Sequence, residues 1–281
     1  MSATRANISP SHLTARRRRL LRIYHRLLKH YGPRRWWPAE SPWEMMVGAI
    51  LAQNTAWSNV EKAIRQLKAA RGMSLQKIAG MPRPRLEKLI RSSGYFRQKA
   101  ERLQVFARYM QKNPDFYLQL TSPSPGPAGL TDGPPGVWRL RPPSASIGRG
   151  RKVPFSLGRE KGLGDEGLQA LRSRLLAMKG IGPETADSIL LYAGRYPTFV
   201  VDAYTRRIGQ RLGLFRFHDY ARVQSYFERA LPKKSALYNE YHALWVMLAK
   251  TVCRKRDPRC GACPIQTECR YGNERSTGCL H

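Results

Sequence analysis

Acidic residues are scarce in this chain: 19 Asp and Glu stand against 50 Lys and Arg in 281 residues, a formal charge of +31. So few carboxylates exclude cations and basic peptides as partners. They predict attraction to a polyanion, either nucleic acid or an anionic membrane surface. Long apolar runs are also missing. The longest, Met45 to Ala52, has eight residues, against the ~20 needed to cross a bilayer, so no membrane partner is expected. No apolar core follows the Arg16–Arg19 run, so no secretory signal is read there. The expected protein is a soluble monomer, intracellular, cytoplasmic and nucleoid-associated. Its hydrophobic fraction of 42% is enough for a real core.

Cysteine is rare but concentrated. Four of the five, Cys253, Cys260, Cys263 and Cys269, lie in a C-x6-C-x2-C-x5-C run. Close spacing in an intracellular chain argues for a thiolate metal site and against disulfides. Four thiolates suit tetrahedral zinc or an iron–sulfur cluster equally, so spacing leaves the metal open. Cys279 is left over as a free thiol. Between the first two cysteines, Arg254, Lys255, Arg256 and Arg259 form a basic loop suited to phosphates.

Strand-like alternation is absent, and the patterning predicts an all-α fold. Leu20, Tyr24, Leu27, Leu28 and Tyr31 make a helical stripe that Gly32-Pro33 ends. Ser41, Pro42 and Glu44 read as a capped helix start before an apolar run. Further helices are predicted near 58–70, 74–79, 84–92, 97–112, 166–178, 183–193, 203–212, 219–230 and 236–250. Residues 1–12 read as a flexible tail. Half of residues 121–160 are Pro, Gly or Ser, too little apolar surface to offset ordering entropy, so 118–165 is predicted to be a disordered insertion.

Two motifs carry chemistry. In Met178-Lys179-Gly180-Ile181-Gly182-Pro183, one helix ends at a glycine turn and the next begins at Pro183. Glycines permit the positive φ of a tight turn, and they let backbone amides approach an anion at a helix start. Ile181 is expected to plug the gap between the helices. Downstream, Phe199-Val200-Val201-Asp202 ends an apolar run in an acid that opens a basic helix. Asp202 is either a helix cap, worth ~1 kcal/mol, or a carboxylate placed to stabilise a cationic transition state.

Taken together, the Gly-Ile-Gly hairpin, Val-Val-Asp and the cysteine spacing resemble the endonuclease III superfamily of helix-hairpin-helix DNA glycosylases. The resemblance runs over most of residues 20–270, interrupted at 121–165. It implies a [4Fe-4S] cluster on Cys253, Cys260, Cys263 and Cys269. It also implies two all-α lobes: a barrel domain, 41–202, and a cluster lobe, 13–40 with 203–281. Double-stranded DNA would bind between the lobes with a damaged base flipped out. Asp202 matches the catalytic aspartate, and Gln53 matches the residue that fills the vacated space. Gly180, Ile181 and Gly182 match the DNA-binding hairpin, and Arg254, Lys255 and Arg256 are assigned to DNA. Bifunctional members carry a lysine two residues past the second glycine, where this chain has Glu184, which cannot form an imine. The expectation is a monofunctional enzyme. Trp37, Pro38 and Trp57 match the stacking residues of the 3-methyladenine glycosylase branch, whose indole faces attract a cationic alkylated purine. The alternatives are a glycosylase/lyase for oxidised pyrimidines or mismatched thymine or uracil, and a non-catalytic cluster-bearing DNA-binding protein.

Overall fold

An arginine-rich amphipathic segment opens the fold. In the computed structural model, which describes residues 10–34, 36–121 and 164–276, it forms α1, Pro10–Tyr31, burying Leu20, Ile23 and Leu27. The helix α2, Pro42–Leu51, starts as its caps dictate. Ser41 Oγ accepts the Glu44 amide at 3.1 Å, Pro42 opens the first turn, and every residue after Pro42 is buried. The Glu44 carboxylate reaches back to the Glu40 amide and forms an ion pair with Lys68 Nζ at 2.9 Å, which makes a buried charge tolerable.

Five helices follow: α3, Trp57–Ala69; α4, Leu75–Gly80; α5, Arg83–Leu89; α6, Phe96–Lys112; and α7, Pro114–Thr121. Beyond 164 come α8, Asp165–Leu176, and α9, Pro183–Ser188, whose end loosens into a π-turn at Ile189–Ala193. The last helices are α10, Ala203–Arg211; α11, Tyr220–Glu228; α12, Ser235–Thr251; and α13, Arg270–Ser276. Among the described residues there is no strand, and no helix is long and apolar enough to cross a membrane.

Two buried cores result. The first gathers α2 through α9, from Ala39 to Tyr196. The second joins Leu20, Ile23 and Leu27 of α1 to the C-terminal helices, and takes in Leu191 and Phe199–Val201. The wall before Asp202 therefore packs in the second core, whereas the sequence reading places it in the barrel domain, 41–202. Tyr192 packs against both cores.

Other boundaries also move. Residues 10–12 of the expected tail already belong to α1, whose arginines lose nothing by being helical. The expected insertion loses 118–121 to α7 and 165 to α8, because Phe116 and Leu120 are buried under the first core. The helices α7 and α13 were not foreseen. The rest of the tail, residues 122–163 and Cys279 lie outside the described residues.

Arg19, Arg22 and Arg26 of α1 converge on the cysteine loop. Arg19 donates to the carbonyls of Leu212 at 2.7 Å and Glu268 at 2.8 Å. Arg22 pairs with the Glu268 carboxylate at 3.0 Å, and Arg26 bonds Thr267.

Candidate active site and nucleic-acid interface

The turn between α8 and α9 needs only one of its glycines for conformation. Gly180 has φ +85°, and a Cβ there would lie 2.5 Å from Arg102 Nε. Gly182 is extended at φ −91°, a conformation open to any residue, and caps α9. A Cβ at Gly182 would meet open space, so its absence matters for what can approach the backbone from outside. Ile181 is 5% exposed in the first core, as the plug reading expects. Its amide is taken by the Met178 carbonyl at 3.1 Å, whereas the amides of Gly180 and Gly182 have no backbone partner among the described residues.

Gln53, just past α2, is fastened to this turn. Its Nε2 donates to the Gly180 carbonyl and to Thr185 Oγ1, both at 3.0 Å, and its Oε1 accepts from Arg102 at 2.5 Å. In the protein alone the side chain is thus docked on the hairpin. Behind it, buried Lys99 donates to the carbonyls of Leu51 at 2.9 Å and Ser93 at 2.6 Å, tying the Gln53 loop to the turn before α6. Burial lowers the Lys99 pKa to about 8.

Asp202 stands at the junction of the two cores, and both readings of it hold geometrically. It is the N-cap of α10, its Oδ1 accepting the Thr205 amide at 2.6 Å. Its Oδ2 faces His242 Nε2 of α12 at 3.5 Å, an ion-pair distance without hydrogen-bond alignment. Desolvation works against the carboxylate, but the imidazole and the Thr205 amide outweigh it and hold its pKa below the usual aspartate value. Glu184, in the first turn of α9, behaves oppositely. The residue is exposed as a whole, yet crowding around its carboxyl, together with the nearby Asp202 charge, raises its pKa. The site therefore holds two carboxyl groups whose affinities for a proton are pushed apart.

A buried polar network backs the Asp202 segment. Asp187 of α9 accepts a bidentate pair from Arg172 at 2.7 and 3.0 Å, and also bonds from Tyr220 at 2.7 Å and Gln224 at 2.9 Å. The Tyr220 hydroxyl in turn accepts the Val201 amide at 3.4 Å. Glu228 accepts the Phe199 amide at 2.7 Å, and burial pushes its carboxyl up to about 7.

The tryptophans assigned from sequence do meet. Trp37 and Trp57 lie edge to face with centroids 4.9 Å apart, and Trp36 and Tyr192 complete the group. Gly48 of α2 makes room for the Trp37 indole, since a Cβ there would sit 3.3 Å from its Nε1. The 89° angle means that the two rings do not form a parallel slot. Pro38 is exposed beside them.

Cys253, Cys260, Cys263 and Cys269 line one small pocket, shared with Arg211, Val252, Pro258 and Tyr271. No three of the described His, Cys, Asp or Glu side chains are gathered tightly enough to hold a single ion. Arg211 donates to Cys253 Sγ at 3.3 Å, and the Gly272 amide donates to Cys269 Sγ at 3.4 Å. Burial pushes the Cys263 thiol up to about 11. Lys255 and Arg256 project into solvent, but Arg254 folds back to bond the Asp257 carbonyl at 3.0 Å.

Sequence reading missed His242, Tyr192, Arg102, Arg211 and Trp36 as site members. His242 sits singly in an apolar helix, and no spacing rule connects it to Asp202. The arginines were one charge among many.

Comparison with known proteins places this geometry. Over 251 residues the chain is 37% identical to the candidate DNA repair glycosylase MJ1434 of Methanocaldococcus jannaschii, covering 89% of this chain and 95% of that one. It is 23% identical to an endonuclease III of Thermotoga maritima over 84% of this chain and 86% of the relative. Among solved structures, the H. pylori 3-methyladenine DNA glycosylase MagIII bound to 1,N6-ethenoadenine matches with TM-score 0.58 at 25% identity, over 85% of this chain and 97% of that one. An endonuclease III–DNA complex shares the fold with TM-score 0.66 at 18% identity, over 93% and 98%. With residues 47–233 matching its pattern as well, the chain belongs to the HhH-GPD superfamily of base excision DNA repair proteins.

Proposed function

We propose that this protein is a monofunctional DNA N-glycosylase that removes a cationic, alkylated purine such as 3-methyladenine from double-stranded DNA. One observation carries the reading: a largely shielded Asp202 whose pKa is held below the usual aspartate value by His242 and Thr205, with His242 packed on Tyr192 and Tyr192 on Trp37. The hairpin and the net positive charge support DNA as the partner.

The chemistry follows from the residues. The C1′–N bond breaks with its electron pair leaving on the base, which an alkylated purine accepts while becoming neutral. The Asp202 carboxylate stabilises the positive charge developing on the sugar and takes a proton from the water that adds to C1′. Electron-rich indole faces favour the cationic base over its neutral parent. No amine takes part, because Glu184 occupies the position where a lysine would be needed.

Cys253, Cys260, Cys263 and Cys269 fit a [4Fe-4S] cluster. They line one shared pocket on one loop, and four thiolates are the donor set such a cluster takes. Arg211 and the Gly272 amide are placed to donate to the sulfurs, as cluster thiolates need. When bound, the cluster would brace the loop that displays Lys255 and Arg256.

An excision assay on a panel of lesion duplexes tests the reading. Release of 3-methyladenine should dominate. Preferred release of an oxidised pyrimidine, or of thymine or uracil from a mismatch, would transfer the reading to those substrates. No release from any lesion would leave a DNA-binding module.

A further inference from the structure

The catalytic candidate does not stand alone on its buried side. Behind Asp202 lies a chain of three side chains from three separate elements: Tyr192 on the π-turn, His242 on α12 and Asp202 capping α10. The Tyr192 hydroxyl and His242 Nδ1 are 2.6 Å apart, a short hydrogen bond, and His242 Nε2 faces Asp202 Oδ2 at 3.5 Å. His242 is 6% exposed, and its Nε2 has no hydrogen-bond partner. A buried polar nitrogen left without a partner is costly, so its orientation toward a carboxylate calls for a role.

The geometry points to His242 as a positioning residue for base release, its ring set by Tyr192 so that the Nε2 proton fixes Asp202 Oδ2. The logic is one of donors and acceptors. A neutral imidazole has one N–H and one lone pair, and a protonated one carries an N–H on both nitrogens. If the Tyr192 hydroxyl donates to Nδ1, the ring proton must sit on Nε2, on the side of Asp202. The second ring nitrogen thus governs what the first presents, as in metal-bound and catalytic histidines. Thr205 already holds Oδ1, so an Nε2 proton facing Oδ2 at 3.5 Å supplies a second, electrostatic point that biases the carboxylate's orientation.

The device also couples the lobes. Tyr192 packs on both cores and touches Trp37 of the aromatic group, with ring centroids 5.4 Å apart, while His242 belongs to the cluster lobe. A base lodged against Trp37 is therefore linked through three side chains, Trp37, Tyr192 and His242, to the carboxylate that acts on its sugar. This inference rests on the glycosylase reading, and its test is arranged so that the two fail separately.

The experiment measures single-turnover base release and DNA affinity for the parent, His242→Leu, His242→Gln and Tyr192→Phe, using a 3-methyladenine duplex, with thermal melts on each. His242→Leu should lower the release rate ~10–100-fold, the worth of one hydrogen bond to a charged group, with DNA affinity within about twofold. His242→Gln, whose amide can donate from nearly the same place, should recover most of the rate. Tyr192→Phe should fall between parent and His242→Leu. Parent-like rates in His242→Leu, or an equal loss in the Gln and Leu variants at unchanged melting temperature, would overturn the proposal. If the parent itself releases no base, the functional reading fails first. Should His242→Leu not fold, the Gln and Tyr192→Phe variants decide alone.

Discussion

Asp202 accepts the backbone amide of Thr205 at 2.6 Å, so the residue placed to act on a sugar is also the cap that starts α10. Structure and chemistry can be separated at this position because Asn caps a helix about as well as Asp. Asp202→Asn should keep the melting temperature and DNA affinity of the parent while losing base release ~100–1000-fold. Asp202→Ala should lose the same activity and ~1 kcal/mol of stability besides. A destabilised but active Asn variant would refute the assignment.

Glu184 makes a covalent prediction. Borohydride added during turnover should trap no protein–DNA adduct in the parent, since no amine replaces the family lysine. Glu184→Lys places an amine on the first turn of α9, beside an Asp202 that remains ionised, and should yield a detectable trapped adduct. Trapping by the parent would mean that another amine reaches C1′.

Trp57 sits at the start of α3 with its indole N–H bonded to Glu61 at 2.6 Å and its ring against Trp37. Trp57→Leu keeps apolar bulk and removes the π-face. Release of a cationic lesion should fall about tenfold relative to a neutral one, in line with a cation–π contribution of ~1–2 kcal/mol. An equal loss on both lesions would make Trp57 a packing residue only.

Glu228 predicts a pH effect on stability. Its folded pKa of about 7 lies above its ordinary value of 4.5, with burial the main cause. Between those values the folded protein keeps a proton that the unfolded chain has released, so this group's contribution falls as pH rises from ~4.5 through 7. Glu228→Gln keeps an oxygen for the Phe199 amide and removes the titration. Its melting temperature should exceed the parent's progressively toward pH 8, by an equivalent of ~3 kcal/mol, and converge with it near pH 4.5. Parallel pH profiles for the two proteins would refute this.

Anaerobically purified protein should contain four iron and four sulfide per chain and show iron–sulfur absorbance in the visible. Cys263→Ser should lose both and weaken DNA binding. One zinc per chain would replace the cluster with a mononuclear site.

Much of this was legible because local rules acted locally. Ser41 and Pro42 start a helix wherever they stand before an apolar run, and a Gly-Ile-Gly turn closes two helices without help from the rest of the chain. The motif residues Asp202, Gln53 and the cysteines could be read because chemistry restricts residue type and spacing. The Tyr192–His242–Asp202 chain could not be read, since it joins three elements whose approach is decided by packing of the two cores. Conformation also split what sequence had grouped: Gly180 requires a left-handed backbone and Gly182 does not. Charge was legible only in sum. Composition predicted a polyanion partner, but it could not say that Arg254 turns inward to a carbonyl while Lys255 and Arg256 point out.

The clasp of Arg19, Arg22 and Arg26 on Thr267 and Glu268 sets an order for biosynthesis. The arginines of α1 are synthesised some 240 residues before their partners. The barrel helices, whose contacts close within one continuous stretch, can settle during elongation, whereas the first helix must wait for the ribosome to release the cysteine loop. Loss of the cysteine loop should therefore expose α1, and a protease that samples α1 would report whether that loop is in place.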